Sequence, residues 1–371
     1  MRYYLIAGEA SGDLHGANLM KALKAEDQEA TFRFLGGDLM LSHGGDLVKH
    51  YSEMAFMGFV EVLFNLKSIL KNLSQTKADI LSYNPDALIL IDFPGFNLKI
   101  AEFAKQHGIK VFYYISPKVW AWNQKRVLKI KKVVDKLFCI LPFEVDFYRS
   151  WGMEVDYVGN PLLDAIKEHQ PEADFKANHH LEEKPLVALL PGSRKQEIIK
   201  ILPDMLQVAD RFPDYEFVIA GAPSFNEEYY KQFTGGRSIK VLFNSTYDLL
   251  INSEAALVTS GTATLETALL HVPEVVLYKG NPITIGIARL LIKIRFISLV
   301  NLIMDKEVVK ELIQQDCNVE TITAELNDLL NNKSYRNAML LNYKELSSKM
   351  GEAGASQRTA KLIVQELTNA K

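Results

Sequence analysis

Short apolar runs recur along the chain, bounded by turn residues and separated by longer stretches with helical periodicity. In the first half they fall at 3–7, 87–91, 111–115, 137–141 and 155–158. In the second half they fall at 186–190, 216–220, 239–243, 255–259 and 275–278. Runs this short and this apolar predict strands buried on both faces, and strands of that kind alternating with helices predict parallel sheets. Between the two sets lies 167–184, rich in Glu and His and flanked by Pro161, Pro171 and Pro185. It reads as a linker with one short helix. The pattern therefore predicts two doubly wound α/β domains, 1–165 and 166–342, followed by a terminal helical segment at 343–371. There is no internal repeat and no low-complexity tract.

Composition agrees with that division and narrows the function. A chain of 371 residues exceeds what one core usually organises. With 48% hydrophobic and 23% charged residues it has the balance of a globular protein. A net charge of −3 gives no reason to expect a nucleic-acid partner. Cys139 and Cys317 are too few and too far apart for a disulfide framework or a zinc site, which favours a reducing compartment. The apolar start turns polar at Glu9, too soon for a signal-peptide core, and no run is long enough to span a bilayer.

In doubly wound sheets ligands sit beyond the carboxyl ends of strands, so the strand-to-helix turns are the places to look for chemistry. The first turn, Gly8-Glu9-Ala10-Ser11-Gly12-Asp13, lacks the dinucleotide glycine spacing and the P-loop Lys. It is either a hydroxyl-binding loop in which Glu9 accepts hydrogen bonds, or a tight turn with Asp13 near a helix start. Asp92 closes the run 87–91 and is followed by Pro94 and Gly95. A carboxylate in that place suits a general base, and equally an N-cap. Trp120 and Trp122 follow the next run. They offer a platform for sugar or acyl chain, or a packing plug. From Lys118 to Lys136 there are seven basic residues and one acid, a solvated face or a contact for anionic lipid.

In the second half, Pro191-Gly192-Ser193-Arg194 joins a strand to a helix, and free amides beside a guanidinium suit a phosphate. The turn Ser260-Gly261-Thr262-Ala263-Thr264-Leu265-Glu266 offers small residues and hydroxyls, with Glu266 one turn into the helix, in reach of a ribose diol. Ordinary strand–helix turns and a capping box are the plain alternatives. Two phosphate-type turns in one domain favour a nucleotide diphosphate. No Asp-x-Asp occurs, no His, Cys or carboxylate cluster has metal-ligand spacing, and Gly-x-Ser-x-Gly is absent. Neither a divalent metal nor any other cofactor is expected.

Two segments have the composition of lipid-facing surfaces. At 54–73 the residues Phe56, Phe59, Val60, Leu63, Leu66, Leu70 and Leu73 recur at helical spacing, the pattern of a core-packed helix or of one lying on a bilayer. At 283–304 Arg289, Lys293 and Arg295 stand among Ile and Leu with no acid from Lys279 to Met304. That composition suits an anionic lipid surface, with snorkelling at a core edge as the alternative.

The strings AGEASGDLHGA (7–17), MGFVEVL (57–63), YYISPKVWAW (113–122), LPGSR (190–194), SGTATLE (260–266) and NLIMDKEVVKEL (301–312) together resemble the lipid-A-disaccharide synthase family, in matching order over about residues 2–316. The resemblance implies a GT-B architecture of two Rossmann-like domains facing across a cleft. It implies inverting transfer of 2,3-diacylglucosamine from UDP-2,3-diacylglucosamine to 2,3-diacylglucosamine 1-phosphate, through a β-1,6 linkage, with release of UDP. Asp92 then matches the base and Glu9 a second essential carboxylate near the acceptor. Ser193, Arg194, Ser260, Gly261, Thr262 and Glu266 match the UDP-sugar site, with Asn301 and Glu307 nearby. Ser11, Met57, Phe59, Val60, Leu63, Trp120 and Trp122 are expected to contact acceptor or membrane. The first domain is expected to bind acceptor and face the inner membrane from its cytoplasmic side. The last helix is expected to return to that domain or to a partner chain, and a homodimer stays open.

Three positions depart from the family pattern: Val300 where Pro is expected, Asn160 where His is common, and Gly95 where some members carry an acid. Asn160 puts any interdomain role for a His there in doubt. Two rivals remain at this point. Another GT-B enzyme, such as a UDP-N-acetylglucosamine 2-epimerase, would need no lipid face. A silent UDP-sugar or lipid binder would tolerate Asp92→Asn.

Overall fold

The computed structural model describes residues 1–54, 66–280 and 295–369. The chain forms two compact units, Met1–Asp164 with Glu352–Lys371, and Ala165–Gly351.

The first unit is built on a seven-stranded parallel sheet of order β3-β2-β1-β4-β5-β6-β7. Its strands are β1 (Arg2–Ala7), β2 (Thr31–Gly36), β3 (Asp46–His50), β4 (Ala87–Ile91), β5 (Lys110–Tyr114), β6 (Lys136–Cys139) and β7 (Asp156–Tyr157). The continuous apolar runs are explained by the two faces they serve. Tyr3, Leu5, Ala87, Ile89, Phe112 and Tyr114 enter one core. The alternate residues Tyr4, Ile6, Leu88, Leu90, Val111 and Tyr113 enter the other. Side chains alternate across a strand, so a strand covered on both sides has no position to leave polar.

The second unit has a six-stranded parallel sheet of order β10-β9-β8-β11-β12-β13. These strands are β8 (Leu186–Leu190), β9 (Glu216–Gly221), β10 (Lys240–Phe243), β11 (Ser253–Thr259), β12 (Glu274–Tyr278) and β13 (Lys310–Ile313). Three strands, β2, β3 and β13, were not among the apolar runs. β3 and β13 are sheet edges, and the half-buried Arg33 of β2 forms a two-pronged ion pair with Asp79 at 2.7 and 2.9 Å. The helix Pro161–Glu168 ends as the polar tract 167–184 begins, and within the tract lies the short helix Phe175–Asn178.

The helix Lys333–Met350 remains in the second unit, so the expected boundary at 343 falls inside it. The last helix, Ala355–Asn369, lies in the first unit, where Ala360, Ile363 and Leu367 join the core that also takes Leu19 and Leu23 from the helix Ala10–Glu26. Its start is anchored by Asp164, whose carboxylate accepts from the amides of Gly354 and Ala355. Arg358 donates to the carbonyls of Val158, Glu352 and Ala353 at 2.7 to 2.8 Å. Asn160 is buried and bridges locally, donating to the Ile140 carbonyl and accepting from the Leu162 amide.

Ile363 is fully buried in this helix. Truncation to Ala is expected to lower the stability of the first unit by about 2–5 kcal/mol, read as an earlier denaturant midpoint in that unit with the second unit unchanged.

Candidate functional site

In each sheet the strand order reverses beside the first strand of the unit. β1 runs parallel to β4 with Ala7 opposite Ile91, and β8 runs parallel to β11 with Leu190 opposite Val258. The crossovers from β1 and β4 leave in opposite directions, so the turns after these strands border an uncovered crevice. In the first unit those turns carry Glu9 and Asp92; in the second they carry Ser193, Arg194, Ser260, Gly261 and Thr262.

The two turns of the first unit are fitted to each other. A Cβ on Gly8 would lie 2.3 Å from the Phe93 ring, so only glycine admits Phe93 against the β1 turn. Asp92 and Phe93 are both left-handed, with φ of +42° and +48°. Such backbone costs about 1–3 kcal/mol per residue for non-glycine residues and persists only where the surroundings impose it. The Asp92 carbonyl accepts from the Tyr113 hydroxyl at 2.5 Å and from Asn97 Nδ2 at 2.7 Å. Burial, and secondarily the negative charge of Glu9, push the Asp92 carboxyl up to about 6, against a smaller opposing pull from Lys118. A carboxyl held there accepts a proton near neutral pH more readily than an ordinary aspartate.

Glu9 is half-buried and accepts from Ser11 Oγ at 3.0 Å. Asp13 has a different task. Buried in the first turn of the helix Ala10–Glu26, it accepts from the amides of Gly37, Leu39 and Met40, capping the short helix Asp38–Ser42. The paired tryptophans separate. Trp120 is buried, packs edge-on to Phe143 and donates its indole N–H to Glu144 at 3.2 Å. Trp122 is 56% exposed, with Arg126 4.9 Å above its ring. Glu144 is fully enclosed, and burial pushes it up to about 7.

In the second unit the turn after β8 departs from expectation. Glu197 Oε2 accepts from the amides of Ser193 and Arg194, both at 3.2 Å, while Oε1 takes the Arg194 guanidinium at 2.9 Å. The amides expected to be free are thus occupied by the chain's own carboxylate in a capping box at the start of the helix Lys195–Ala209. Gly192, at φ +103°, leaves the space: a Cβ there would lie 2.5 Å from Glu197 Oε2. The Arg194 side chain is nonetheless 72% exposed. The spacing Arg-x-x-Glu was the available signal for this cap.

After β11 the situation is the reverse. The helix Thr262–Leu269 begins at Gly261 with no side-chain cap among the described residues, and Thr262 is exposed. Ser260 Oγ donates to the Ile297 carbonyl at 3.2 Å. Glu266 accepts from the Tyr247 hydroxyl at 2.8 Å, and burial holds its carboxyl above the usual range. Beside it lies a pocket of about 290 Å³ lined by Glu266, Tyr247, Thr246, Asn244 and His169. The His169 ring stands edge-on to Tyr247 and its Nε2 lies 3.0 Å from Asp248 Oδ1. None of Tyr247, His169 or Asn244 was singled out from sequence, since no motif marks a pocket wall drawn from separate turns.

Asn301 was expected near the UDP-sugar site. It is fully buried and its amide is saturated, donating to the Val309 carbonyl and Glu311 and accepting from the amides of Val308 and Val309. It clamps the β13 approach and has no hydrogen-bonding capacity left for a ligand. Glu307 is exposed and pairs with Lys310 at 3.3 Å.

Met57, Phe59, Val60 and Leu63, and most of the basic apolar segment from 283, lie outside the described residues. Among the described residues no helix is long and apolar enough to cross a membrane, and no group of His, Cys, Asp and Glu could hold a metal ion. A larger groove of about 470 Å³ is lined by Leu70, Leu73 and Lys77 of the helix Leu66–Tyr83 and by Lys99 and Phe103 of the helix Pro94–Gln106, among others.

Comparison with known proteins places this geometry in context. The family model described as lipid-A-disaccharide synthetase matches residues 3–365. Relatives include the lipid-A-disaccharide synthase of Syntrophus aciditrophicus, 40% identical over 364 residues, covering 96% of this chain and 95% of the relative. That of Geobacter sulfurreducens is 37% identical over 373 residues, covering 99% and 97%. Among solved structures, the glycotransferase of kitacinnamycin aligns with a TM-score of 0.68 at 12% identity, covering 99% of both chains. UDP-N-acetylglucosamine 2-epimerase from Neisseria meningitidis bound to UDP-GlcNAc aligns at 0.65 with 14% identity, covering 100% of both. At such identity the likeness shows the fold alone, and that fold is GT-B.

A carboxyl raised on folding from 3.8 to about 6 binds its proton more tightly in the native state, so its ionisation lowers stability as pH rises through that window. Asp92→Asn is therefore expected to be more stable than the parent at pH 8, by up to about 3 kcal/mol, and no more stable near pH 4. Thermal melts at the two pH values check this.

Proposed function

This chain belongs to the lipid-A-disaccharide synthase family, and on that premise we propose that it transfers 2,3-diacylglucosamine from UDP-2,3-diacylglucosamine to the 6-hydroxyl of 2,3-diacylglucosamine 1-phosphate. The chain is a glycosyltransferase of GT-B fold that uses a UDP-sugar donor and a glycolipid acceptor. The observation that carries the assignment of chemistry is the Asp92 carboxyl, partly withdrawn from water at the switch point of its sheet and raised toward neutrality beside Glu9.

The reaction is an inverting displacement. The acceptor hydroxyl gives its proton to the Asp92 carboxylate as its oxygen attacks the donor anomeric carbon. The bond from that carbon to the β-phosphate oxygen breaks, and the electron pair leaves with UDP through an oxocarbenium-like transition state. Glu9, with Ser11, is assigned to holding the acceptor. Growing charge on the departing phosphate is met by the exposed Arg194 guanidinium and by the uncapped start of the helix Thr262–Leu269. The Ser193 hydroxyl is a further donor to it. Glu266 is assigned to the ribose diol, with Tyr247 occupying one carboxylate oxygen and leaving the other for ligand.

Acylated substrates place the enzyme at a membrane surface. The reading therefore keeps Met57, Phe59, Val60, Leu63 and Trp122 as contacts with acceptor or lipid, and a peripheral position on the cytoplasmic face of the inner membrane.

The test is UDP release by purified protein given the UDP-sugar with and without acceptor. Acceptor-dependent release should fall about 10²–10⁴-fold in Asp92→Ala. Equal release without acceptor, or an Asp92→Ala rate matching the parent, would defeat the reading.

A further inference from the structure

Two buried side chains from different elements converge on a single backbone oxygen at the end of β4. Tyr113, on β5, and Asn97, in the helix Pro94–Gln106, are both fully buried. The phenol donates to the Asp92 carbonyl at 2.5 Å; Asn97 Nδ2 donates to the same carbonyl at 2.7 Å and reaches the Ile91 carbonyl at 3.3 Å. The oxygen they hold belongs to a residue in the left-handed region, followed by a second one. β4 ends at Ile91, and the Asp92 amide makes one further bond to β5, donating to the Tyr114 carbonyl at 3.3 Å. Asn97 Oδ1 is buried with no hydrogen-bond partner among the described residues, and both of the bonds made here are donated by Nδ2.

We propose that Tyr113 and Asn97 are positioning residues for the transfer, fixing the Asp92 peptide so that its carboxyl is held at the mouth of the crevice beside Glu9. The inference rests on the reading of Asp92 as base. A peptide plane clamped through its carbonyl cannot rotate without breaking both bonds, and with the Asp92 amide donating to the Tyr114 carbonyl at 3.3 Å the planes on both sides of the Asp92 Cα are held, which fixes the direction its side chain leaves. The Phe93 ring against Gly8 limits the same rotation from the other side. The charged groups that face the Asp92 carboxyl are Glu9 from the β1 turn and Lys118 from the turn after β5. Tyr113 and Asn97 touch none of the reacting atoms. They act through Asp92, and a base displaced by an ångström can lose on the order of 10²-fold in rate.

The experiment compares Tyr113→Phe and Asn97→Ser with the parent in full-length protein, measuring kcat and KM for both substrates from about pH 5 to 9, with UDP affinity and melting midpoint alongside. Tyr113→Phe should lower kcat roughly 10- to 100-fold, leave the donor KM within about twofold, and move the acid limb of kcat/KM downward as the released carboxyl gains water. Asn97→Ser should move the limb in the same direction. Parent-like kcat in both variants overturns the proposal. So does a fall in rate that tracks lost UDP binding or lost folded protein while the acid limb stays in place, because that describes a role in the fold alone. If Asp92→Ala stays active, the base reading fails instead, and that outcome is separate from anything the Tyr113 and Asn97 variants show.

Discussion

Parallel strands all present their carboxyl ends on one side of a sheet, and a right-handed crossover must carry the chain back before the next strand can begin. When strand order reverses beside the first strand, the crossovers on either side diverge, and a crevice opens between two turns that no helix can fill. Both units obey this constraint, with β1 against β4 and β8 against β11. Everything assigned to chemistry lies on the turns that border these two crevices or in the helices they open. The sheets contribute no reacting group. They fix which turns are neighbours, and through the one-to-one register of adjacent strands they fix the height at which Glu9 stands beside Asp92.

The two turns of the second unit have the same backbone plan but opposite electrostatics. After β8, Glu197 neutralises the helix start and half-engages Arg194. After β11, a glycine cap leaves the helix dipole uncompensated. An anion approaching the pair therefore meets a bare helix end on one side and an already satisfied one on the other. Of Arg194, the side chain is left exposed while the amide is taken by Glu197.

Much of this was legible in the residues because buried parallel strands leave so plain a record. The run 87–91 followed by Asp92 read correctly as a strand with a carboxylate at its end, since both faces of β4 demand apolar side chains. The family strings carried the rest of the assignment. What stayed hidden was the choice among several tasks open to one residue type. Asp13 looks like a helix-start acid, yet the amides it binds belong to a helix about 25 residues further on. Asn301 sits in a string shared with the family, and only its four hydrogen bonds reveal a structural clamp. Trp120 and Trp122, two positions apart, have opposite exposure because the short helix Val119–Trp122 turns them to different sides. Long-range pairing of this kind leaves no periodicity. The strain at Asp92 and Phe93 is nearly as silent in the sequence: aspartate visits the left-handed region more often than most residues, but nothing marks the bulky Phe93 beside it for the same backbone.

The first unit is assembled from two stretches of chain separated by the whole of the second. During synthesis the seven strands of its sheet are complete by Tyr157, but the helix that supplies Ala360, Ile363 and Leu367 to one of its cores is made only after the whole of the second unit. At ordinary elongation rates the interval is about 10–40 s. Throughout it the second unit, contiguous in sequence, can fold to completion, while the first waits with an apolar face uncovered. The order of maturation therefore inverts the order of translation. The unit that carries the proposed base is begun before the second unit and closed after it, and a nascent chain released early would present a finished second unit with a first unit still open to association or to chaperones.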